Sequence, residues 1–174
     1  MDVVIPRLAR ASSRTPERYR TAALLPLVRI AAAAACGTSL HAEHELVALM
    51  PLVFVIFWRA QSRLESSLVA AAYHAAAAVP LMSGAQAFYG FSEFEALLLV
   101  GTMATGVGCV WGAFWISPWR DCAPAQVVLR AVGLLVVTNV PPLCALAVPS
   151  PLLAAGVWFP GWSWCGVVAF VVAV

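Results

Sequence analysis

Lysine is absent from this 174-residue sequence: all ten basic residues are arginine, set against eight acidic ones, and charged residues make up only 10% of the chain. Without lysine there is no G-x-x-x-x-G-K-[ST] loop to hold a nucleotide phosphate. The shortage of charge excludes more. An average soluble domain carries roughly 25% charged residues, whereas here 63% of residues are hydrophobic and the mean hydropathy is +0.90. Most stretches between polar punctuation are apolar on every face, which leaves no side for water. The net charge of +2, spread along the chain, lacks the basic stripe that nucleic acid requires. No nucleic-acid partner is expected, and the bilayer is the expected solvent.

What is present is a series of apolar stretches, at about residues 21–36, 46–58, 68–82, 96–119, 125–148 and 152–174. A helix needs about 20 apolar residues to cross a hydrocarbon core of about 30 Å. The last three stretches meet that length; the second and third need flanking residues or a thinned bilayer. The expected fold is all-α, a polytopic transmembrane bundle of about six helices, with residues 1–20 as an Arg-rich cytoplasmic segment and 21–174 as the membrane domain.

The arginines supply an independent test. Arg7, Arg10, Arg14, Arg18 and Arg20 precede the first stretch, Arg59 and Arg63 lie between the second and third, and Arg120 lies between the fourth and fifth, with Arg130 shortly after. The other three connections have none. This alternation follows the positive-inside rule for six crossings with a cytoplasmic amino terminus, and it implies a multi-pass membrane protein. Arg7 to Ser39 also resembles a signal sequence, but the charged region is long and Arg29 interrupts the apolar run, so an uncleaved first helix is expected. Arg29 itself marks either an intramembrane site or a helix shifted toward the cytoplasm, and the five preceding arginines favour the shift.

The candidate chemistry is sparse. His41-Ala-Glu43-His44-Glu45 gathers metal-capable side chains but lacks the H-E-x-x-H spacing that places two ligands on one helix face, so it reads as a solvated loop. His74 stands alone in an Ala-rich helix and is expected to be hydrogen-bonded within the bundle. Cys36, Cys109, Cys122, Cys144 and Cys165 contain no C-x-x-C pair and read as packing residues. No catalytic, cofactor-binding or metal residue is assigned.

Ala104, Gly108 and Gly112 recur at every fourth position, a small-residue stripe that lets two helices approach closely in lipid. The second helix can belong to the same chain or to a second copy meeting the Gly108/Gly112 stripe. Trp111, Trp115 and Trp119 run along a neighbouring stripe, with Trp119 beside Arg120 as an interfacial anchor. Pro141-Pro142 is expected to kink the fifth helix. Trp158, Trp162 and Trp164, around Pro160-Gly161, suit the extracytoplasmic interface.

The segments A-A-Y-H-A-A-A-A-V-P at Ala71 to Pro80, Phe88-Tyr89-Gly90, Pro141-Pro142 and P-L-L-A-A-G-V-W-F-P-G-W at Pro151 to Trp162 together resemble the amino-terminal membrane region of TraB-type conjugal transfer proteins. That region is in turn similar to the membrane half of apolipoprotein N-acyltransferases. The resemblance implies a helical membrane region joined to a nitrilase-like domain with a Glu-Lys-Cys set. None of that set can be carried onto this lysine-free sequence, so acyl transfer by these 174 residues is not expected. The implied role is a non-catalytic scaffold in the inner membrane, with lipid and other transfer-apparatus proteins as partners. A small transporter or channel subunit using Arg29, His74 and the Pro141-Pro142 kink is the alternative; a fragment of an acyltransferase-like enzyme is a third reading.

Overall fold

The computed structural model describes residues 16–41, 44–116, 123–141, 143–146, 150–151, 155–162, 165–166 and 168–169. Among them there is helix and no strand: α1 (Pro16–Thr38), α2 (Leu52–Trp58), α3 (Arg63–Ala77), α4 (Val79–Tyr89), α5 (Glu93–Phe114), α6 (Pro124–Asn139) and the short α7 (Leu143–Leu146) and α8 (Ala155–Trp158), with 3₁₀ turns at Ser39–His41 and His44–Leu49. The all-α expectation holds. Arg7, Arg10, Arg14, Trp119, Arg120, Cys122, Pro142 and Trp164 lie outside the described residues.

α3 is the central element, packed between α1 and α5. It starts where Ser62 caps it: the Ser62 hydroxyl accepts the Glu65 backbone N–H at 3.1 Å, satisfying one of the donors that every helix start leaves unpaired. α5 starts with a complete capping box, the Ser92 hydroxyl accepting from Glu95 N–H and the Glu95 carboxylate accepting from Ser92 N–H. The turn between α4 and α5 is set by Gly90, whose φ of 68° is a left-handed conformation that costs glycine little. The core gathers Phe54 and Phe57 of α2, Val69 and Tyr73 of α3, Trp111 of α5 and Leu134 of α6.

Prolines set several of the breaks. The stretch 46–58 divides at Pro51 into a 3₁₀ turn and α2. The stretch 68–82 begins earlier than its apolar composition indicates, at Arg63, and bends by 53° between α3 and α4, just before Pro80. The stretch 125–148 does not kink at Pro141; it stops at Asn139, because a residue before proline is driven out of the helical region, and Val140 adopts φ −105° and ψ 139°. Asn139 then closes the end by donating its side-chain amide to the Leu135 carbonyl at 2.8 Å.

By length and composition, α5 is the one helix among the described residues able to cross a bilayer unaided, and α3 with α4 forms a second candidate if the bent pair is one span. The apolar parts of α1 (Leu24–Thr38), of the second stretch (Leu46–Trp58) and of α6 are shorter.

Candidate functional site: a buried ion pair and a polar aromatic core

Two features stand out among the polar side chains of the interior. The first joins α1 to the start of α3. Arg29 Nη1 donates to Glu65 Oε1 at 2.6 Å, with the two side chains only 18% and 7% exposed. The other carboxylate oxygen, Oε2, accepts the Gln61 backbone N–H at 2.7 Å. Glu65 thus closes the turn that opens α3 with one oxygen and fastens α1 with the other. A charge buried this far requires such pairing, because an isolated one would lose its hydration without return.

This geometry resolves the position of Arg29. Its partner sits in the first turn of α3, beside the polar turn Arg59 to Arg63, so Arg29 lies near the end of the bundle that carries Arg59 and Arg63. Among the α1 side chains described, Leu24, Leu25, Leu27 and Val28 are exposed, whereas Ala33 and Cys36 are in the core. Arg29 thus has its partner within the fold, at that end of the helices. Sequence reasoning passed over Glu65, although the S-x-x-E spacing of Ser62 and Glu65 marks a helix start.

Glycine governs how closely α3 meets its neighbours. A Cβ on Gly37 would run into the Tyr73 carbonyl, and one on Gly108 would come within 2.6 Å of the Ser67 carbonyl. On Gly112 it would collide with the Ser67 hydroxyl. The Gly108/Gly112 stripe therefore faces α3 of the same chain, and a second copy meeting it would have to displace α3.

The second feature is an aromatic hub around Trp111. Its ring stacks on Phe54, with centroids 5.3 Å apart and planes 9° from parallel, and meets Phe57 and His74 edge-on at 5.2 and 5.6 Å. Tyr73 lies edge-on to His74 at 4.9 Å. The Tyr73 hydroxyl, both His74 ring nitrogens and the indole nitrogens of Trp111 and Trp115 are buried with no hydrogen-bond partner. The expectation that His74 is hydrogen-bonded is thereby corrected: the Tyr73 and Trp111 rings lie edge-on to the imidazole, and neither of its nitrogens has a partner. Trp111 and Trp115 are core residues, buried where α5 meets the rest of the bundle.

The remaining candidates stay apart. His41 pairs a ring nitrogen with the Ala76 carbonyl at 3.3 Å, covering one of the last carbonyls of α3. Glu43 lies outside the described residues, and among the described residues no group of three His, Cys, Asp or Glu is placed to hold a metal. Cys36 is buried, Cys109 and Cys165 are exposed, Cys144 is half-buried, and none of these four forms a disulfide. Arg29 and His74 do not converge, since Glu65 and His74 are separated by nine positions of α3, a rise of about 13 Å. Trp158 donates its indole N–H to the Ala48 carbonyl at 3.1 Å, and Trp162 is exposed beside Gly161, whose φ of 80° ends the turn.

The chain is 34% identical over 147 residues to the probable conjugal transfer protein TraB of Sinorhizobium fredii (strain NBRC 101917 / NGR234), an alignment covering 84% of this chain and 37% of that protein. It is 30% identical over 167 residues to the conjugal transfer protein TraB of Agrobacterium fabrum (strain C58 / ATCC 33970), covering 90% of this chain and 38% of that one. This chain is thus similar to proteins named for conjugal transfer. It spans little more than a third of the length of these curated relatives. No family model matches the sequence, and no solved structure matches it.

Proposed function

We propose that this chain is a TraB-type component of conjugal transfer, embedded in the bacterial inner membrane as a multi-pass helical scaffold without chemistry of its own. The similarity over 84% and 90% of the chain to two proteins named for conjugal transfer carries the functional part. Lengths and charge support the membrane part. The 22 residues of α5 rise about 33 Å, enough for a hydrocarbon core of about 30 Å. The α3–α4 pair matches it, since 15 residues of α3 rise about 22 Å and 11 of α4, inclined by 53°, add about 10 Å along the same direction. No arginine or lysine interrupts the chain between Arg63 and Arg120. In this reading α3–α4 goes out, α5 returns, and Arg59 and Arg63 stay cytoplasmic.

The scaffold role fits an interior in which Arg29 and Glu65 are paired across helices and His74 lies against the Tyr73 and Trp111 rings. The test is a mating assay in a donor whose own copy of the gene has been deleted. Supplying this chain should restore transfer, and Glu65→Ala should lower the transfer frequency and the amount of protein in the membrane fraction together. Transfer that is indifferent to the deletion would remove the proposal.

A further inference from the structure

We infer that the turn joining α4 to α5, from Phe88 to Phe94, is a docking element for the lipid headgroup region of the extracytoplasmic leaflet. The inference rests on the membrane reading above and adds the partner of one surface. Phe88, Tyr89 and Phe94 are 85%, 75% and 68% exposed, with Phe91 beside Tyr89 at a centroid distance of 5.7 Å. α4 itself is nearly uncovered, with Ala85 alone fully buried among its residues. Four aromatic rings in seven residues, laid bare together, form the kind of contiguous apolar patch that marks an interaction surface.

Three observations choose lipid as the occupant. First, no formally charged residue occurs between Glu65 and Glu93, so the segment leading to the turn has nothing that holds it in water. Second, the α3–α4 pair and α5 each rise a little over 30 Å from the Arg63 end, which brings the turn to the depth where hydrocarbon gives way to headgroups. Third, the composition changes there as an interface requires: aromatic rings flank Ser92, Glu93 and Glu95, and the capping box of Ser92 and Glu95 satisfies the backbone donors. Tyr89 joins an apolar ring to a polar hydroxyl and suits that zone, where Trp and Tyr collect in membrane proteins, while the Phe rings beside it can enter the acyl region just beneath. An open groove continues from the turn along α5, lined by Phe94, Leu97, Leu98, Gly101, Thr105 and Gly106, and gives the acyl chains beneath the headgroups an apolar wall.

The experiment is spin-label depth measurement on the full chain in phospholipid vesicles. Cys109, Cys122, Cys144 and Cys165 are replaced by serine, the buried Cys36 is kept so that the core is untouched, and single cysteines are placed by Phe88→Cys, Phe94→Cys, Leu98→Cys and Thr105→Cys. Collisions with oxygen, which concentrates in hydrocarbon, are compared with collisions with a water-soluble nickel chelate. The expected result is a graded series: 98 and 105 deep, 88 and 94 at intermediate depth. Labels at 88 and 94 that meet the chelate as freely as a label in water would overturn the inference while 98 and 105 remain deep, leaving the membrane reading intact. Labels at 88 and 94 shielded from both reagents would overturn it in favour of a protein partner. All four labels in water would overturn the membrane reading itself. A Tyr89→Cys label, which leaves Phe88 in place, guards against a local disturbance caused by Phe88→Cys.

Discussion

Glu65 holds two helices with one carboxylate: its Oε1 receives the Arg29 guanidinium from α1 at 2.6 Å while its Oε2 receives the Gln61 N–H at the start of α3 at 2.7 Å. Removing either charge strands the other. Breaking a buried pair in this way costs about 3–5 kcal/mol, and the 18% exposure of Arg29 places this pair toward the lower end. Arg29→Ala and Glu65→Ala should each lower the thermal unfolding midpoint. The double variant Arg29→Met, Glu65→Leu should recover most of the loss, because an apolar pair avoids desolvation altogether. Unfolding in detergent, followed by circular dichroism, measures all three.

Glycine positions should separate into two classes. Gly37→Ala and Gly108→Ala press a methyl group onto backbone carbonyls of α3, which cannot move without shifting the helix, and should destabilise the fold. Gly112→Ala belongs with them: the Ser67 hydroxyl can rotate away, but the Arg63 carbonyl at 3.1 Å and the Ser67 Cβ at 3.2 Å cannot. Gly101→Ala and Gly106→Ala meet nothing within 4 Å and should be neutral or stabilising, since alanine is favoured over glycine in a helix by about 0.8–1.0 kcal/mol. The same unfolding series orders the five variants.

The aromatic hub gives a third contrast. Trp111→Ala removes the ring on which Phe54 stacks and which Phe57 and His74 meet edge-on, and should cost about 3–5 kcal/mol. Tyr73→Phe removes a buried hydroxyl that has no partner and leaves the ring in place, so it should be neutral or stabilising. A marked loss on Tyr73→Phe would show that the hydroxyl is bonded in the working protein.

These pairs show what was legible in the sequence. The small-residue stripe of Ala104, Gly108 and Gly112 pointed to a close helix contact because periodicity alone places three residues on one face. It could not say that α3 of the same chain fills that face, since the partner is a matter of long-range packing. Arg29 was conspicuous as a charge in an apolar run, yet Glu65 lies 36 positions away and looked like an ordinary helix-start residue. Pro141 announced a break that became a stop at Asn139, whereas the 53° bend before Pro80 divides a stretch that reads as one apolar run. His74 invited a hydrogen bond on general grounds, and the Tyr73 and Trp111 rings packed against it decided otherwise.

The capping of α5 gives a further prediction. Ser92→Ala removes the acceptor for the Glu95 N–H and one of the two hydroxyl and backbone contacts to the Glu95 carboxylate. The expected cost is about 1 kcal/mol, typical of an N-cap loss. Ser92→Asp should retain most of the stability, because a carboxylate accepts the same N–H and favours the positive end of the helix.

The most direct measurement of the central claim is the side of the membrane on which two turns lie. Reporter domains fused after Gln61 and after Gly90, one active only in the cytoplasm and one only outside it, read the two ends of the α3–α4 pair. The account predicts a cytoplasmic signal at Gln61, an extracytoplasmic signal at Gly90, and a chain that alkaline carbonate does not extract from membranes. Both fusions reporting the same side, or release of the chain by carbonate, would contradict it.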